Sequence, residues 1–381
     1  MAGGLAAMAA PTAHAAAPVS STASAPPPSR TPATLILACD QASRSVLLLD
    51  ATSAYWRSGS PDRTARAADL LPLWSWTPVH DPGLADLDPG SGWQNVSEAK
   101  ARSTTSGPLL LTCASGGLVA AVLPGTGSVY WATSLPARAN PHTVELLPDG
   151  NIAVAASTGG FVRVYTASQG ARSGVYVSFA LPGAHGLLWD AGSGLLWALG
   201  DALLVGLAVE GGAASPRLTA ARTVALPEPG GHDLARALGA DAPMWLSTSG
   251  HVRQFAVRTG AFVAYPDQSA LDRPSVKRVS QNPVTGRVLT VSPEPGTPCP
   301  WCTSRIRFRA RAARRSSRGR ACTRACRQIP VVARRAVRRR LVRALGAPGE
   351  SPRTGRTWAF TRCGESACQA SQDRREFDDR P

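Results

Sequence analysis

Between Thr34 and Phe308 the apolar residues fall into short runs separated by Gly, Pro, Asp and Ser, as in "TLILACD", "SVLLLD", "PLLLTCAS", "GGLVAAVL" and "NIAVAAS". Runs this short, bounded by turn formers and rich in Val, Leu and aromatic residues, predict β-strands rather than helices. They fall into six groups. These begin at "TLILACD", "PLLLTCAS", "NPHTVELLPDGNIAVAAS", "GLLWD", "APMWLSTSG" and "VKRVSQNPVTG". Each group holds three or four strands, and the full units repeat every 42 to 47 residues. That period is the size of a propeller blade, a small sheet that buries both faces only by packing radially against its neighbours. The expected fold class is therefore all-β: a β-propeller of six blades, each of three to four antiparallel strands, with a seventh blade built from the termini as the alternative. A β-sandwich does not call for a repeat of this length.

Composition refines this picture. Hydrophobic residues make up 44% of the 381-residue chain and charged residues only 17%, with 36 Gly and 32 Pro, which suits many turns around a packed core. The formal net charge of +16 is unevenly placed: residues 309–381 carry 20 Arg against 6 acidic residues, and the preceding 308 residues are nearly neutral. No basic nucleic-acid footprint is expected on the propeller, no apolar run is long enough for a membrane span, and a monomer is expected.

Four regions follow. Residues 1–15 read as part of a secretory signal ending in Ala13-His14-Ala15, which implies an extracellular location. Residues 16–33 are a Pro/Ala/Ser linker, residues 34–308 the propeller, and residues 309–381 an Arg-rich tail. That tail loses strand alternation abruptly and reads as disordered, as partly helical near Val331–Leu345, or as out of frame: the whole chain uses 39 Arg and 2 Lys, the signature of GC-rich coding. Of eight cysteines, Cys39 and Cys113 sit in apolar strands as small buried hydrophobes. The Cys299–Cys302 pair lacks the second pair a zinc site needs. Trp74, Trp76, Trp189, Trp197 and Trp245 lie inside strand runs and are expected in the core rather than stacked on sugars.

The segments "HTVELLPDGNIAVAAS", "AHGLLWD", "LWALG", "GGHDL" and "VKRVS", with "LILACDQASRSVLLLD" and "WSWTP", resemble a family of secreted bacterial and fungal domains of unknown function within the WD40/YVTN-like propeller superfamily. The resemblance covers residues 34–308 and stops at Phe308. It implies a propeller and secretion, and supplies no activity.

The candidate chemistry lies at the heads of the repeats. His142, His185 and His232 are 43 and 47 residues apart, which matches the blade period and places them at one mouth of the central channel. Three neutral imidazoles meeting there are a candidate divalent-metal site. The only two lysines, Lys100 and Lys277, extend the series at 42 and 45 residues on either side. With Glu98 and Asp233 they form a candidate ligand-binding set, in which an ammonium meets an acidic group and the carboxylates balance charge. No catalytic residue is assigned. Three functions remain open: a secreted binding propeller for a small or carbohydrate ligand, anionic in character; a metal-dependent polysaccharide lyase or hydrolase built on the His cluster; and a structural or protein-interaction scaffold whose blade-head residues only hold loops.

Overall fold

The computed structural model describes residues 35–50, 72–105, 107–124, 126–239, 241–282 and 286–292, with the backbone of short strands at 64–65, 306–307, 309–311 and 357–360. All of these lie in one compact unit, Ala33–Pro381. The signal-like segment, the linker, the Cys299–Cys302 pair and most of the Arg-rich tail lie outside the described residues.

Along the chain the strands are β1 (Leu35–Asp40), β2 (Ser45–Asp50), β3 (Thr64–Ala65) and β4 (Trp74–Trp76). Next come β5 (Val96–Thr104), β6 (Gly107–Ala114), β7 (Leu118–Leu123) and β8 (Ser128–Ser134), then β9 (Pro141–Leu146), β10 (Ile152–Ala156), β11 (Phe161–Tyr165) and β12 (Tyr176–Ala180). They are followed by β13 (Gly186–Asp190), β14 (Leu195–Leu199), β15 (Leu203–Gly212), β16 (Ser215–Ala225), β17 (Asp233–Arg236), β18 (Met244–Ser247), β19 (Val252–Ala256) and β20 (Ala261–Val263). The last are β21 (Arg278–Gln281), β22 (Val288–Val291), β23 (Ile306–Arg307), β24 (Arg309–Arg311) and β25 (Thr357–Phe360).

Four consecutive quartets, β5–β8, β9–β12, β13–β16 and β17–β20, are antiparallel four-stranded blades. A fifth blade joins β1, β2 and β4, with β25 added in parallel beside β1. The sheet after β20 has three strands, β21, β22 and β24, and β3 pairs with β23 as a separate ribbon. The architecture is thus all-β, with five four-stranded blades in a propeller arrangement. The expected count of six or seven is higher. The sixth unit is the three-stranded sheet, because its outer edge falls where the sequence loses strand alternation after Phe308.

Alternation within each strand divides its side chains between two blade interfaces. In β6, Leu110 and Ala114 pack towards the first blade, while Leu109, Leu111 and Cys113 pack towards β9–β12. In β10, Ile152, Val154 and Ala156 face one neighbour, and Ala153 and Ala155 the other. Both faces being buried, these strands read as continuous apolar runs. The expected burial holds for Cys39 and Cys113, both fully buried, and for Trp197 and Trp245 in the core. Trp131, also fully buried, donates its indole N–H to Ser173 O at 2.9 Å. Strands β5, β9, β13, β17 and β21 are the first strands of their sheets and run side by side around the channel.

Candidate axial binding site

The heads of these five inner strands occupy equivalent places, and the backbone shows it. The N–H groups of His185, His232 and Lys277 donate to Leu199 O, Ser247 O and Val291 O at 2.7–2.8 Å, each on the neighbouring strand of its own blade. In the two preceding blades the equivalent residue is a β-bulge. The β9–β10 register skips His142 between Pro141 and Thr143, and the β5–β6 register skips Ser97 between Val96 and Glu98. A bulge bends the strand and re-aims its side chain. The head series is therefore Ser97, His142, His185, His232 and Lys277.

This corrects the place of Lys100. It lies three residues further into β5, opposite Leu111, and its blade's head position is held by Ser97. The signal that separates the two is apolar: Ala99, Val144, Leu187, Leu234 and Val279, two residues after each head, are all buried.

The three histidines do come together. Ring centroids lie 4.3 Å apart for His142 and His185, 4.7 Å for His185 and His232, and 6.1 Å for His142 and His232. Successive rings are tilted by 38° to one another, and the outer two meet edge-on at 75°. Among the described residues no group of three His, Cys, Asp or Glu side chains is arranged to hold a metal ion. The expected convergence is present, and the expected metal-ligand geometry is not. Gly186 and Gly231 allow the close approach. A Cβ at Gly186 would lie 2.8 Å from that of Leu234 on the adjacent inner strand, and one at Gly231 would lie 2.2 Å from Gly200 O.

His185 Nδ1 lies 2.7 Å from Gly183 O. A carbonyl only accepts, so Nδ1 carries a proton. His232 is held neutral: burial, then the Lys277 charge and the two other imidazoles, push its pKa well below the usual value, against a hydrogen bond to the Lys277 backbone.

Beneath the histidines lies a charged layer made by the residues one step further along. Arg278 Nη1 reaches Glu98 Oε2 at 2.9 Å and Asp233 Oδ1 at 3.0 Å. Asp233 Oδ2 accepts from the Val279 N–H at 2.9 Å, and Glu98 Oε2 accepts from Thr143 Oγ1 at 2.7 Å. Burial pushes the Glu98 carboxyl up, but the Arg278 and Lys100 charges and two side-chain hydrogen bonds outweigh it and bring the pKa down to about 2. Asp233 goes the other way: burial raises it, with Glu98 adding to the rise and Arg278 opposing it. Deeper still, the Lys100 ammonium donates to Thr143 Oγ1 at 2.8 Å and Leu187 O at 2.9 Å, and lies 3.1 Å from Glu98 Oε2. Arg102 clamps Glu145 with two 2.6 Å hydrogen bonds. Lys100 thus ties three blades together and is only 3% exposed.

A cavity of about 20 Å³ separates the two upper layers, lined by Ser97, Glu98, His142, His185, His232, Asp233, Lys277 and Arg278. Of the expected ligand set, Lys277, Glu98 and Asp233 line it and Lys100 does not. Sequence reasoning missed Ser97 and Arg278. The head spacing of 45 residues before His142 would have found Ser97, and the position after Lys277 would have found Arg278. A larger depression of about 890 Å³, lined in part by Trp76, His80, Asp81 and Arg172, lies away from the axis. It is open to solvent, and Arg172 there is held by Asp86 at 2.7 Å, so the axial cluster is the stronger candidate.

A family match extends over residues 63–301, more than half of the chain. The protein belongs to DUF6528, a family of unknown function. None of the curated proteins matches this DUF6528 chain. Among solved structures it is similar to virginiamycin B lyase from Staphylococcus aureus, at 12% identity and a TM-score of 0.38, over 52% of this chain and 64% of that one. It is also similar to Saccharomyces cerevisiae Sqt1, at 16% identity and 0.39, over 65% and 63%. A third is a protein of unknown function from Bacteroides caccae, at 11% identity and 0.43, over 70% and 85%. The chain spans less than two thirds of the lyase and of Sqt1.

Proposed function

We propose that the protein is a binding propeller whose channel mouth captures a small acid. The observation that supports this is the gathering of His142, His185, His232 and Lys277 from four successive sheets around one cavity, with a positive charge at its opening. His185, His232 and Lys277 are half-buried, whereas Glu98, Asp233 and Arg278 beneath them are buried. The polar groups therefore grade from an accessible rim to a dry floor. An ammonium at such a rim attracts a carboxylate, and the imidazoles beside it offer directed hydrogen bonds. The cavity admits one ligand atom of water size, so most of any ligand rests on the rim.

The lyase or hydrolase reading draws no support from the described residues, among which no metal-holding group of side chains is found, and binding without chemistry is the reading advanced. Isothermal titration of the purified chain with small carboxylates, galacturonate and malate among them, tests it. Binding that weakens at least tenfold in Lys277→Met is expected. Absence of heat for all the acids, or an unchanged affinity in Lys277→Met, overturns the reading.

A further inference from the structure

The floor of the axial cavity holds an acceptor whose hydrogen-bonding capacity is not used. Glu98 Oε1 is buried and receives no aligned hydrogen bond. It lies 2.8 Å from Arg278 Nη1, but the hydrogen bond from that nitrogen goes to Oε2 at 2.9 Å. A carboxylate oxygen accepts two hydrogen bonds, and a buried acceptor left unmet has lost its hydration without a replacement. The cavity beside it measures about 20 Å³, and room for one oxygen atom requires roughly 10–15 Å³.

We propose that this cavity is a hydroxyl subsite, and that the acid captured at the rim is therefore a hydroxy acid, with its carboxylate at Lys277 and its alcohol donating to Glu98 Oε1. This rests on the small-acid reading and narrows its ligand class. The lining selects the group. A second carboxylate would face the ionised Glu98, which Arg278 and Lys100 hold in its charged form. An ammonium would sit against Arg278 and Lys277, both of which line the cavity. A methyl group would fill the space and leave Oε1 unmet. A hydroxyl donates to Oε1 and keeps two lone pairs for the Arg278 side.

Matched acids that differ only in the hydroxyl test this on the full-length chain: glycolate against acetate, and lactate against propionate, by isothermal titration at pH 7. The hydroxy acid is expected to bind at least tenfold more tightly than its deoxy partner, and Glu98→Gln, checked by thermal melting for retained fold, is expected to bring the pair to within about threefold. Equal affinities within each pair on the wild-type protein overturn the hydroxyl subsite while leaving the small-acid reading standing, and the cavity is then a water site. No binding of any of the four acids at 20 mM probe overturns both. Should Glu98→Gln fail to fold, the comparison of acids on the wild-type chain still decides.

Discussion

The two lysines of this chain look equivalent in the sequence, and the structure gives them opposite roles. Replacing Lys100 with Met keeps the aliphatic stem and deletes the ammonium. That ammonium is 3.1 Å from Glu98 Oε2 and bonds Thr143 Oγ1 at 2.8 Å and Leu187 O at 2.9 Å. Its loss leaves a buried carboxylate short of one counter-charge and a buried carbonyl without a donor. Removing one partner of a buried ion pair costs about 3–5 kcal/mol. For a chain of this size, with an unfolding entropy of about 0.8 kcal/mol/K, that corresponds to a fall in Tm of about 4–6 °C. Lys277 is half-buried at the rim, and Lys277→Met is expected to cost less than about 1 kcal/mol, the scale of solvent-screened pairs. Differential scanning calorimetry of both variants at pH 7 reads the contrast. A Lys100→Met Tm within about 2 °C of wild type, or a Lys277→Met loss as large as that of Lys100→Met, would refute the assignment of Lys100 to a cross-blade tie.

Three further outcomes follow from the axial site. His232 is depressed below its usual value of 6.5, so the fold disfavours its proton; urea-melt stability should hold above about pH 6.5 and fall as the pH drops below it, a limb that His232→Gln should flatten. Glu98, depressed from 4.5 to about 2, adds stability above pH 4.5 that is lost between 4.5 and 2 and should vanish in Glu98→Gln, whereas the raised Asp233 works in the opposite sense and softens this acid limb. Gly231→Ala places a Cβ 2.2 Å from the Gly200 carbonyl, an overpacking of about 1–3 kcal/mol, whereas Gly212→Ala meets nothing within 4 Å; a calorimetric Tm that falls equally in both would discount the close approach at Gly231.

What the sequence makes legible follows from where each strand points. Strands that bury both faces, such as β6 and β10, are continuous apolar runs and can be read directly. The inner strands β5, "VSEAKARST", and β17, "DLAR", do not read as strands, because they turn polar side chains to the channel. Missing β5 is what let Lys100 stand in for Ser97 as the head of its blade. The histidine period was visible because only six histidines exist to confuse it, while Arg278 was lost among 39 arginines. The mutual tilt of the imidazoles has no counterpart in spacing. Spacing fixes position along a strand and leaves χ angles and loop shape undetermined.

The charge balance of the axis bears on why the proposed acid is given a carboxylate at the rim and not in the layer below it. Below the rim, Lys100, Arg102 and Arg278 face Glu98, Glu145 and Asp233, three cations against three carboxylates in mutual contact. That set balances its own charge and ties the blades, and it leaves Glu98 Oε1 unmet beside the cavity. Lys277 lies above it beside the three imidazoles at the rim. Inter-blade stability alone would be served equally well by apolar residues at the rim, as it is at Leu234 and Val279 two positions on. A half-open ring of imidazoles beside an ammonium is instead what the proposed capture of an acid from solvent calls for.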